Sequence, residues 1–114
     1  IVDRIKDMII TGGFNVYATE IEKSILAHEE ILECAVIGVP DAKWGEAVKA
    51  IAVRHSGKII TEEKLILAIK ETLGSVKTPK SIEFWESLPK TSVGKVDKKL
   101  IRERFWEKKS RNIN

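Results

Sequence analysis

Residues 32–54 read LECAVIGVPDAKWGEAVKAIAVR, and this stretch decides the fold. Two apolar runs rich in β-branched residues, 32–39 and 47–54, flank a segment running from Pro40 to Glu46. Runs of that length and composition suit strands rather than helices. Pro40-Asp41 ends the first run, and Ser56-Gly57 turns the chain after the second. A pair of strands joined by a loop over 40–46 is therefore expected.

Working outward, Thr61 is placed to cap a helix, and Glu62 and Glu63 suit the positive end of its dipole. Leu65, Ile66, Ile69 and Leu73 recur at helical spacing up to Gly74, a natural stop. Residues 81–85, SIEFW, read as a third strand, and 87–95, SLPKTSVGK, as a loop. From Asp97 to about Lys109 the pattern is helical again, with Leu100, Ile101 and Phe105 on one side. Towards the N-terminus, residues 5–10, IKDMII, read as a short strand broken by Thr11-Gly12-Gly13. The next helix is expected near Thr19, which with Glu22 has the spacing of a capping box; Ile21, Ile25 and Leu26 give it an apolar face. The expected architecture is a small α+β domain. It has a central three-stranded sheet flanked by helices, and a short N-terminal hairpin-like segment.

Composition bounds the function. The 114 residues are enough for one domain with a modest core. Three Trp and three Phe oppose disorder. No apolar run approaches the roughly 20 residues of a transmembrane helix, so no membrane span is expected. Asp3, Arg4, Lys6 and Asp7 interrupt any signal-peptide pattern. One Cys forms no internal disulfide, which fits a reducing compartment and a cytoplasmic location. The chain begins at Ile1 and reads as a fragment or excised domain. A net charge of +3 favours phosphate-bearing partners only weakly and does not indicate nucleic acid.

Candidate chemistry concentrates in loops. Thr91-Ser92-Val93-Gly94-Lys95 invites a phosphate-loop reading, which fails. That motif needs Gly at position 89 and Ser or Thr at 96, and the chain has Pro89 and Val96. What is left is one Lys on a flexible loop, a compact cation suited to an oxyanion or simply solvated. Gly12-Gly13 could admit a ligand close to the backbone, or merely turn the chain. Trp44 could stack on a ligand or fold onto the core, whereas core packing is expected for Trp85 and Trp106. Cys34 reads as a buried thiol in a strand, and His28 and His55 have no partner pattern. No metal-binding spacing is present, so no metal site is expected in this chain. The last helix is basic, with eight Lys or Arg against three acidic residues over 95–111. That face is either solvated or drawn to a nucleotide or an acidic surface.

Three segments together resemble a known family. Asp3-Arg4-Ile5-Lys6-Asp7-Met8-Ile9-Ile10-Thr11-Gly12-Gly13-Phe14-Asn15-Val16-Tyr17, followed by Glu20-Ile21-Glu22, resembles the opening of the C-terminal domain of adenylate-forming enzymes. Val36-Ile37-Gly38-Val39-Pro40-Asp41 with Trp44-Gly45-Glu46 resembles the middle of that domain in acyl-CoA synthetases. Leu88-Pro89-Lys90-Thr91 with Gly94-Lys95 resembles its catalytic loop. The likeness spans essentially the whole chain, in order and in register.

The resemblance implies a domain that works with a larger N-terminal domain, absent from this sequence, which holds ATP, magnesium and a carboxylic acid. Such enzymes form an acyl-adenylate and pyrophosphate, then pass the acyl group to coenzyme A. The small domain rotates between the two half-reactions. By this likeness Lys95 is the catalytic lysine and Lys6 the hinge, within a boundary at about residues 4–7. Arg4 lies near the nucleotide. Gly12 and Gly13 line the pantetheine channel, and Trp44, Lys77 and Lys80 contact coenzyme A. Val76 and Thr78 stand where some relatives carry an aromatic residue and an Arg, and Ala18 where many carry Pro. The tail from Phe105 to Lys109 is similar to fatty-acid-type ligases. Two other readings are an adenylation domain serving a carrier-protein thiol and a small basic nucleic-acid-binding module.

Overall fold

The computed structural model describes residues 8–43 and 45–113. Its elements run β1 (Met8–Thr11), β2 (Phe14–Tyr17), α1 (Ala18–Leu26), β3 (Ile31–Asp41), β4 (Gly45–Arg54), α2 (Glu62–Leu73), β5 (Ser81–Phe84) and α3 (Lys98–Ile113). β3, β4 and β5 form one sheet in that order, and β1 and β2 form a separate hairpin. The α+β architecture with a three-stranded sheet is as expected.

The strands of the 32–54 stretch are longer than their apolar runs. β3 and β4 pair antiparallel from Ile31 opposite Arg54 to Asp41 opposite Gly45, with an irregularity between Ile31 and Glu33. Pro40 and Asp41 therefore lie within the ladder, and the expected loop over 40–46 shrinks to a tip. Asp41 Oδ1 accepts from the Lys43 amide at 2.8 Å, an Asx turn that starts the reversal. β5 runs parallel to β4, Lys49 opposite Ser81, so a crossover is required, and α2 lies in that connection.

β3 is buried continuously from Cys34 to Gly38 because the sheet is covered on both faces. Alternate side chains serve two cores. Cys34, Val36, Val48, Ala50 and Ala52 pack with Ile21 and Ile25 of α1 and Leu65 and Ile69 of α2. Ala35, Ile37, Ile51 and Val53 pack with Leu88 and with Ile101 of α3, and Trp85 and Phe105 lie against them. Period-two strands and helical i, i+4 spacing thus build three layers.

Two helix signals behave as expected and one does not. Thr61 Oγ1 accepts from the Lys64 amide, and Gly74 ends α2 with φ of 87°. The Thr19–Glu22 capping box does not form. α1 starts at Ala18, with Tyr17 instead of Thr19 at the cap position and no side-chain cap. Glu22 is drawn instead to β3, where Oε2 accepts from the Val36 amide at 2.8 Å, and it pairs with Lys98 of α3. That bond satisfies a strand amide that solvent does not reach, which outweighs a local cap.

β1 and β2 form the expected N-terminal hairpin-like segment, and of the four β2 residues, Phe14 to Tyr17, only Val16 is buried. The hairpin closes through Gly12 and Gly13, with φ of 56° and 84°. Two consecutive positive φ values are the demand of a type I′ turn, which glycine meets without strain.

Candidate functional site at two ends of one strand

The segment ending at Lys95 is a closed hairpin, and the expected flexible loop gives way to it. Leu88 roots it in the core, and Lys90 bridges to Val96. The Thr91 amide donates to the Lys95 carbonyl at 2.7 Å, and the Gly94 amide donates to the Thr91 carbonyl at 2.9 Å. Thr91 Oγ1 accepts from the Lys95 amide at 3.3 Å. Gly94 takes φ of +88°, a conformation L side chains rarely adopt. Asp97 Oδ1 accepts from the Leu100 amide at 3.1 Å and so starts α3 directly after the hairpin. Lys95 is exposed and makes no ion pair among the described residues. Backbone and cap fix its position, and its ammonium group stays available. Lys90 Nζ lies 2.9 Å from Glu33 Oε1, which ties the hairpin to the early half of β3.

The other candidates gather towards the far half of that strand. Ile9 lies against Gly38, and the Ile10 amide donates to Glu46 Oε1 at 3.0 Å. β1 is therefore anchored beside Gly38, two residues before the Gly12-Gly13 turn begins. Lys80 sits on the same half, its amide donating to the Val48 carbonyl at 2.8 Å. Glu33 and Gly38, the β3 positions that mark the two anchors, are separated by about 17 Å of strand at 3.3 Å per residue.

Lys77 is not a free cation, since its Nζ lies 3.0 Å from Glu20 Oε1. Val76 is exposed, and Thr78 is buried with its hydroxyl donating to the Gly74 carbonyl at 2.7 Å. Thr78 thus faces the fold and not a ligand. Arg4, Lys6 and Trp44 lie outside the described residues, and so does the expected hinge at 4–7.

Trp106 departs from its expected place in the core. It is 36% exposed, with Nε1 donating to the Gly38 carbonyl at 3.0 Å. With Arg102 it borders a groove of about 760 Å³ between α3, β1 and β3, where Met8, Ile9, Gly38 and Glu46 form the other walls. Trp85 holds to its expectation, half-buried against the second core. Cys34 is the buried thiol expected. Burial pushes it up to about 12, helped by Glu22 and Glu33 and opposed by Lys98. Among the described residues no group of three or more His, Cys, Asp or Glu side chains could hold a metal ion. No helix there is long and apolar enough to cross a membrane.

A family model described as the AMP-binding enzyme C-terminal domain matches residues 20–95. The chain belongs to this family. The AMP-binding C-terminal domain is 44% identical over 120 residues to a medium/long-chain-fatty-acid–CoA ligase, FadD8, of Mycobacterium tuberculosis, covering 99% of this chain and 21% of the relative. It is 45% identical over 105 residues to a feruloyl-CoA synthase of an Amycolatopsis species, covering 92% of this chain and 21% of the relative. The crystal structure of apo MatB from Rhodopseudomonas palustris superposes with a TM-score of 0.85 at 44% identity, over 90% of this chain and 20% of that one. The chain thus spans about a fifth of the length of the proteins it matches. Membership agrees with the three ordered motifs and displaces the reading as a basic nucleic-acid module.

Glu46 and Glu22 organise the domain. The sequence offers Glu46 only within the Trp44-Gly45-Glu46 run, and Glu22 only as half of a capping box and within Glu20-Ile21-Glu22; neither pattern points to the partners found.

Proposed function

We propose that this domain serves an ATP-dependent acid–CoA ligase, with fatty acids the first class to test. A carboxylate and ATP would give acyl-adenylate and pyrophosphate. The thiol of coenzyme A would then take the acyl group and release AMP. ATP, magnesium and the acid belong to a larger partner domain. A reducing, cytoplasmic setting fits the single buried thiol.

One observation supports this reading: the Lys95 hairpin is tied through Lys90 to Glu33, the Gly12-Gly13 hairpin is tied through Ile9 to Gly38, and Lys95 is exposed. Two surfaces held at different stretches of β3 suit two successive steps better than one stationary centre. A domain that turns about a hinge near Lys6 can offer them in succession. In the first orientation Lys95 would place positive charge between the carboxylate and the α-phosphate, where charge develops as they join. In the second, the side-chain-free turn would leave room for a pantetheine arm, with Trp44, Lys77 and Lys80 towards the nucleotide end and Arg4 near the adenylate. For Lys77 this requires exchange of Glu20 for a phosphate.

The acid is not set by this domain. Near-equal identity to a fatty-acid ligase and to a feruloyl-CoA synthase supports a pocket elsewhere. The test is to supply the whole enzyme with ATP, a fatty-acid panel and either coenzyme A or a pantetheine-bearing carrier protein. Mass spectrometry should find the acyl group on coenzyme A. Transfer only to the carrier would replace this reading with the carrier-dependent one.

A further inference from the structure

We propose that Glu46 is a positioning residue for the thiol-transfer step, acting through the Gly12-Gly13 turn. The assignment rests on the ligase reading above. β1 and β2 form a two-stranded sheet, so amides on the outer side of β1 need partners other than β2. Glu46 supplies one. Its Oε1 accepts from the Ile10 amide at 3.0 Å, two residues before Gly12, and joins the hairpin to β4 of the main sheet. Its Oε2 lies 3.4 Å from the Arg102 guanidinium, which in turn sits 5.5 Å from the Trp106 ring.

The packing around this carboxylate is close. A Cβ on Gly38 would stand 2.8 Å from Glu46 Oε2 and 3.1 Å from Ile9 Cγ2. Gly38 also accepts from Trp106 Nε1 at 3.0 Å. β1, β3, β4 and α3 thus converge on one side chain, held from two sides. The open side of the glycine turn meets no neighbour, since a Cβ on Gly13 would find nothing within 4 Å. The hairpin is held below the turn, by buried Ile9, Thr11 and Val16 and by the Glu46 bond to the Ile10 amide.

The experiment uses the whole enzyme and reads the half-reactions separately. Glu46→Ala should lower the rate of thioester formation from supplied acyl-adenylate about tenfold, the scale of one charge-assisted hydrogen bond. Its ATP–pyrophosphate exchange should stay within about twofold, because the Lys95 hairpin is anchored elsewhere. Glu46→Gln keeps an oxygen that can accept from Ile10, so thioester formation should stay within about threefold of wild type. Parallel loss of both half-reactions in Glu46→Ala would overturn the assignment, and so would equal thioester loss in the Ala and Gln variants. A wild-type enzyme that forms no thioester with coenzyme A would overturn the ligase reading and this assignment with it. A wild-type enzyme that forms it, matched by Glu46→Ala, would remove this assignment alone.

Discussion

Thr91 holds both backbone groups of Lys95: its amide donates to the Lys95 carbonyl at 2.7 Å, and its hydroxyl accepts from the Lys95 amide at 3.3 Å. The lysine is therefore presented by a pinned backbone with an exposed side chain. The closure depends on Gly94, at φ of +88°. Gly94→Ala would impose about 1–2 kcal/mol of strain there. The hairpin is exposed, so that strain should open the loop locally and leave the core intact. In the whole enzyme ATP–pyrophosphate exchange should fall about tenfold with little change in thermal midpoint. Unchanged exchange would mean that the closure does not position Lys95.

Glu22 joins three elements, accepting from the Val36 amide on β3 and pairing with Lys98 of α3. Its side chain is 17% exposed, so little water can replace those partners. Glu22→Ala should cost about 2–3 kcal/mol, the scale of a hydrogen bond to a charged group with its amide left unsatisfied. Glu22→Gln should cost less, because its oxygen still accepts from Val36. Urea unfolding of both variants checks the order, and equal losses would assign the effect to the ion pair alone.

These two residues show what local pattern conveys and what it omits. The apolar runs at 32–39 and 47–54, the Thr61 cap and the Gly74 stop are near-neighbour effects, and each was legible. Glu22 has the spacing of half a cap, but its partner, Val36, lies fourteen residues on and is defined only once the sheet forms. Pro40 read as a break, yet it sits opposite Glu46 in the ladder. Trp106 read as core from its helical position, but its indole N–H needs an acceptor, and Gly38 at the groove rim provides it. The parallel course of β5 leaves no mark at the level of composition.

The candidate site is legible only through the resemblance of three ordered motifs to a family; glycine and proline by themselves mark no more than turns. The anchoring of these segments is not legible, because Lys90 meets Glu33 and Ile10 meets Glu46 across distant parts of the chain. The Glu20 partner of Lys77 was equally hidden.

Cys34 offers a test that needs no partner domain. Its folded-state value, about 12, lies above the unfolded value of 9.0, chiefly because burial penalises the thiolate. The native state thus holds the proton more tightly. Stability from this group is complete below about pH 9 and is lost as pH rises towards 12. Alkylation by iodoacetamide at neutral pH should be at least about 100-fold slower in the folded chain than in urea, since the thiolate is the nucleophile. Between pH 8 and pH 11 the urea midpoint should fall more steeply in wild type than in Cys34→Ala. Parallel slopes would refute the perturbed thiol.

Lys95 is proposed to act in adenylate formation and to stand away from the thiol step. The most direct measurement is Lys95→Ala in the whole enzyme, with ATP–pyrophosphate exchange and thioester formation from supplied acyl-adenylate assayed side by side. Exchange should fall by at least about 100-fold, the usual scale for removing a group that stabilises developing charge, while thioester formation stays within about threefold. Equal damage to both half-reactions would contradict that role for Lys95.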